Sequence, residues 1–233
     1  MFHYAAQYSF RVFFQYDFFG MVIGDPITAC SNLLLFFVGL WCYRRVRGIN
    51  KNVSTELGAG LRGWELFFRI SACAYLVGVP VHGFSHYMHP DFHFWLWVTM
   101  GWIQMIGVAC VQIGTAKQYF PKQLNWIRPL VLLQFVFFCA LMVWIKKFGA
   151  VNTDISIGLI PIAAWNIYLY AKGRNKSYLM GAGILFAGIP AIVVGLKWMP
   201  TTWMSYNDVA HFLLIVSLLM ICRGVINNVK IND

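Results

Sequence analysis

The chain is short of charge, and of acid most of all. Only 11% of its 233 residues are charged, and eight are Asp or Glu against 18 Lys or Arg. A soluble domain carries about 25% charged residues. That excludes a soluble enzyme, a disordered chain and a nucleic-acid binder. Cysteine is too sparse for a framework. Cys30, Cys42, Cys73, Cys110, Cys139 and Cys222 form no C-x-x-C pair and lie in or beside apolar runs. Each reads as a small packing residue, so a disulfide-stapled secreted domain is excluded as well. Polar stretches long enough for an extramembrane domain are missing, as are internal repeats and low-complexity tracts. The first apolar run is too long for a signal peptide and has no A-x-A-like cleavage site, so no cleavable leader is expected.

What the chain has is apolar length. Hydrophobic residues make up 60%, and mean hydropathy is +0.64. With about 20 apolar residues needed per crossing, this predicts an all-α polytopic membrane protein. Seven candidate helices span roughly residues 21–43, 64–87, 94–114, 129–145, 155–171, 178–198 and 207–225. Their runs are continuous rather than alternating, which argues against strands and against an outer-membrane barrel. Residues 1–20 read as an interfacial segment, 21–227 as one transmembrane domain and 228–233 as a tail. Neither a broken helix nor an inverted repeat is visible, which counts against a small transporter.

Basic residues set the expected direction. Arg44, Arg45, Arg47, Lys51 and Arg62 fall between the first two helices, and Lys117, Lys122 and Arg128 between the third and fourth. Lys172, Arg174 and Lys176 precede the sixth, and Arg223 and Lys230 close the chain. The alternate loops hold only Arg11, Lys146, Lys147 and Lys197. An outside N-terminus and a cytoplasmic C-terminus follow, and the net charge of +10 is mostly topology.

Ionisable groups within a bilayer are costly, so each is a functional candidate. Asp25, Thr28, Ser31 and Asn32 open helix one, and His82 and His86 close helix two. Asp154 opens helix five, and Asn207, Asp208 and His211 open helix seven. The topology puts all of them at one depth, near the non-cytoplasmic face. At a spacing of four, His82 and His86 would share a helix face. With His211 they could supply three nitrogens to a zinc ion, which leaves a fourth position for water. Pro90 is expected to end helix two near His89, leaving His89 and His93 in a loop. Glu65 and Arg69 read as an i,i+4 ion pair. Gln104, Gln112 and Gln134 read as interhelical hydrogen-bond partners, and Gly181, Gly183 and Gly188 as packing sites in helix six.

The stretch Asp25-Pro-Ile-Thr28-Ala-Cys-Ser31-Asn32-Leu33, with His ending helix two and His opening helix seven, resembles the CREST superfamily. These are seven-helix membrane hydrolases that include alkaline ceramidases and adiponectin-receptor-like proteins. The resemblance implies one zinc held by helix-two and helix-seven histidines, and hydrolysis of a lipid amide. His86 matches the helix-two histidine, but His82 stands where the family has serine four residues earlier. His211 matches the second helix-seven histidine, whereas Asn207, followed by Asp208, replaces the first. The family's helix-three aspartate has no counterpart. Of the acidic cluster that binds calcium in the ceramidases, only Asp17 and Asp25 are present.

Together these readings predict a zinc-dependent hydrolase of a membrane-lipid amide or ester. His82, His86 and His211 would hold the metal, Asp208 or Asp25 would move the proton, and Ser31 would orient the water or the oxyanion. The alternatives are a non-catalytic seven-helix receptor or assembly subunit with a structural metal, and a bis-His haem protein.

Overall fold

A computed structural model describes residues 15–18, 20–51, 55–201 and 204–229. Seven stretches among them are helical, long enough and apolar enough to cross a membrane. The helices are α1 (Pro26–Asn50), α2 (Thr55–Gly83), α3 (Pro90–Tyr119), α4 (Leu124–Ile145) and α5 (Gly149–Ala171). The sixth candidate span is made of α6 (Leu179–Phe186) and α7 (Gly188–Leu196), and α8 (Tyr206–Val229) is the seventh. Several run past the apolar stretches that announced them. α1 continues through Arg44, Arg45 and Arg47, because a helix keeps its own backbone bonded on either side of a membrane boundary.

The helices close into a ring in the order α1, α2, α3, α5, α6, α8, with α8 packed again on α1. α4 lies outside, against α3 and α5, where Trp126 and Trp144 are 78% and 84% exposed. The ring encloses Leu35, Phe68, Val108, Leu218 and Ile221, all buried. α2 and α3 touch backbone to backbone at Gly63 and Gly114. A Cβ built on Gly114 would stand 2.8 Å from Gly63 Cα, so only glycine permits the approach.

Three local structures differ from the reading of the sequence. Helix one begins at Pro26, because Met21–Gly24 is a strand paired antiparallel with Gln15–Phe18. Gly20, at φ 81, supplies the left-handed backbone between them. The sixth candidate span is broken at Ala187. Pro190 has no N–H for the carbonyl four residues earlier, and the helix restarts at Gly188. Glu65 does not pair with Arg69. It accepts from Asn50 Nδ2 at 2.9 Å, while Arg69 lies over the Tyr43 ring.

Candidate functional site

α1 and α8 run parallel and in register. Thr28, Ser31 and Asn32 stand at i, i+3 and i+4 on one face of α1, and Asp208 and His211 at i and i+3 on one face of α8. Thr28 Oγ1 donates to Asp208 Oδ1 at 2.6 Å, and Ser31 Oγ lies 2.8 Å from His211 Nδ1. Both pairs are 180 residues apart in sequence, as are Cys42 and Cys222 further along, where Cys222 Sγ meets the Cys42 carbonyl. An equal offset requires parallel helices, which is the direction expected of the first and seventh of seven spans.

Asp208 has a structural explanation that its chemistry alone does not suggest. Ser205 precedes α8 by one residue, and its Oγ accepts from Asp208 N at 3.2 Å. Asp208 Oδ2 accepts in return from Ser205 N at 2.7 Å. This is a capping box, two backbone donors at a helix start satisfied reciprocally. With Thr28 on Oδ1, both carboxylate oxygens have protein donors.

Ser31 sets the state of His211. Its hydroxyl donates to the Thr28 carbonyl at 2.9 Å, so its oxygen accepts from His211 Nδ1–H. This assigns the imidazole to the tautomer whose Nε2 keeps the lone pair. Across from it stands His82, the two ring centroids 6.1 Å apart and nearly perpendicular. Both rings are half-buried, whereas Thr28, Ser31 and Asn32 are fully buried. Asn32 Nδ2 donates to the Thr28 carbonyl at 3.0 Å, and its side chain occupies the space beside Gly78 of α2. A Cβ on Gly78 would come within 2.6 Å of Asn32 Oδ1.

His86 does not join this pair. α2 ends at Gly83, and His86 falls in the 3₁₀ turn Ser85–Tyr87, exposed and edge-on to Tyr87 at 5.4 Å. The spacing of four carries no shared face once the helix has stopped. Among the described residues, no group of three or more His, Cys, Asp or Glu side chains is placed to hold a metal ion. Of the three histidines read as zinc ligands, His82 and His211 converge, while His86 stands apart in the turn.

His93 is where the sequence misled. Pro90 starts α3 at its first position rather than merely ending α2, with His89 as N-cap accepting from Asp91 N at 3.4 Å. His93 thus sits in the first turn of α3, buried, with Nε2 donating to the Val81 carbonyl at 3.0 Å. That carbonyl belongs to the last turn of α2, where intrahelical donors run out. Asp25 is the N-cap of α1, buried and left-handed at φ 39 and ψ 57, with no side-chain cap bond. Asp154 belongs to a separate buried network. It accepts from Gln134 Nε2 at 2.8 Å, and Gln112 Nε2 donates to Gln134 Oε1 at 3.1 Å, joining α3, α4 and α5.

The sequence matches one family over residues 27–230, described as a family of unknown function, DUF6962. The match covers most of the chain, which belongs to that family. No curated protein and no solved structure matches it.

Proposed function

We propose that this DUF6962 chain is a membrane-embedded hydrolase of a lipid amide or ester, as its resemblance to the CREST hydrolases implies. One observation carries the reading: the Thr28–Ser31–His211 hydrogen-bond chain, which leaves the lone pair on His211 Nε2, with the His82 ring 6.1 Å away between centroids. A base oriented by a second group, inside a buried polar cluster, is the arrangement that water activation needs. His211 Nε2 takes a proton from water as the water oxygen bonds to the substrate carbonyl carbon. The imidazolium then returns that proton to the departing amine or alkoxide as the carbonyl C–N or C–O bond breaks. Ser31 is a positioning residue that acts through His211, and His82 walls the other side of the water site. The Lys and Arg distribution favours the non-cytoplasmic face for this end, with the acyl chain entering from that leaflet.

The test is turnover of long-chain acyl amide and ester substrates by the purified protein in mixed micelles. Hydrolysis should fall by about 100-fold or more in His211→Ala, the usual contribution of a general base. Ser31→Ala should lower kcat and shift its pH profile while leaving KM nearly unchanged. Failure of the wild type to turn over either class overturns the proposal. A second reading, a non-catalytic seven-helix subunit, is favoured by Asp208, whose carboxylate is fully engaged in capping and in tying α1 to α8. It expects no turnover and a stable protein partner.

A further inference from the structure

Arg69 stands near the middle of the candidate membrane span Leu57–Gly83, and its side chain is exposed. It lies inside the apolar run of α2, so the loops that orient the chain do not account for it. A cation at such a position is costly unless something pairs with it. Tyr43 of α1 is beside it, where the apolar run of the first helix gives way to Arg44 and Arg45. The Arg69 guanidinium carbon is 5.9 Å from the centroid of the Tyr43 ring. That of Arg47 is 5.6 Å from the same centroid, and Arg47 Nη1 donates to Tyr43 Oη. His82 is thirteen residues, or about 20 Å of helix, from Arg69, so this cluster is separate from the histidine pair.

One half-buried ring therefore gathers two positive charges. Its π face attracts a cation but cancels no charge, and the two guanidiniums repel each other. Glu65 is one turn before Arg69, yet its carboxylate turns to Asn50, accepting from Nδ2 at 2.9 Å. Among the described residues neither guanidinium has a carboxylate partner. Beyond Arg69 the face continues as apolar surface. Cys73 and Leu76, four and seven residues further on, are exposed as well and share its side of α2. Two cations at one end of an apolar strip fit an amphiphile whose head is an anion.

We propose that Arg47 and Arg69, set about Tyr43, bind the phosphate of an anionic phospholipid, with an acyl chain along Cys73 and Leu76. The exposed side of a membrane span meets lipid, so the anion there comes from a head group. Guanidinium forks match phosphate oxygens with paired N–H bonds, and both stems are flexible enough to close on one head group beside the ring. A zwitterionic head group would add a third cation to the cluster, so a net anionic lipid is selected. The site depends on the seven helices lying in a bilayer, not on hydrolysis at the other end.

The experiment is calorimetric titration of the full chain in an uncharged detergent with dihexanoyl phosphatidylglycerol, dihexanoyl phosphatidylcholine and inorganic phosphate. Saturable binding of phosphatidylglycerol is expected, at least about tenfold tighter than either of the others. It should weaken at least about tenfold in Arg69→Gln and in Arg47→Gln, the loss of charge-assisted bonds. Lys172→Gln is the control for diffuse charge. Lys172 lies over Tyr168 at the end of α5, across the ring of helices from α1 and α2, and its loss should change affinity less than about twofold. Arg47 lies exposed in the last turn of α1, so Arg47→Gln decides the question if Arg69→Gln does not fold. No saturable binding, equal binding of phosphatidylcholine or of inorganic phosphate, or losses in the arginine variants no larger than in Lys172→Gln overturns the proposal.

Discussion

Thr28 Oγ1 donates to Asp208 Oδ1 at 2.6 Å, although the two residues are 180 positions apart. The same carboxylate closes the capping box with Ser205, so one side chain ties the first turn of α1 to the first turn of α8. One pitch further along, the same two faces bring Ser31 to His211. The clamp therefore sets the register on which the candidate site depends. The aspartate is structural here, with both oxygens engaged by donors.

Thr28→Val is expected to destabilise the protein by about 1.5–3 kcal/mol, the worth of a hydrogen bond to a charged group. Ser205→Ala should cost about 1 kcal/mol through the lost cap. A double-mutant cycle of Thr28→Val with Asp208→Asn, followed by thermal unfolding in detergent, should return a coupling well above 0.5 kcal/mol. Additive effects would show that the two side chains do not act on each other.

The histidines should separate by role. His86→Ala, at an exposed position, is expected within about 0.5 kcal/mol of the wild type and with unchanged hydrolysis. His93→Ala strips the donor from a buried helix-end carbonyl and should cost about 1–3 kcal/mol without abolishing turnover. Elemental analysis beside the unfolding data decides the ligand question. Zinc bound at about one per chain in the wild type and lost in His86→Ala would restore the three-histidine set and overturn this division.

The seven long apolar helices were legible because a run of about 20 apolar residues has few other uses. The meeting of the helix-one polar cluster with the helix-seven histidine was legible too, since both lie at the starts of long apolar helices that run in the same direction. What failed was local. Pro90 was read as the end of one helix when it begins the next, so α2 was carried four residues too far and His86 was placed on a face that no longer exists. The serine at 205 and the aspartate at 208 spell a capping box ahead of an apolar run, a pattern readable in the sequence. An acidic residue at the start of an apolar helix drew the functional reading instead. The strand at Met21–Gly24 was missed because its apolar residues were counted into helix one, although Gly24-Asp25-Pro26 marks the boundary between them.

Helix six tests whether its glycines are there for packing. A Cβ on Gly183 would stand 2.9 Å from the backbone nitrogen of Ile221 in α8, an atom that cannot move aside without shifting the helix. Around Gly188 nothing lies within 4 Å. Gly183→Ala should therefore destabilise by about 1–3 kcal/mol, as overpacking does. Gly188→Ala meets open space in a helical backbone and should be neutral or stabilising by up to about 1 kcal/mol, the propensity gain of alanine over glycine. Thermal unfolding of the two variants side by side gives the answer. Equal losses would mean that both glycines serve the break at Ala187, and opposite signs would mean that only Gly183 is held by its contact with α8.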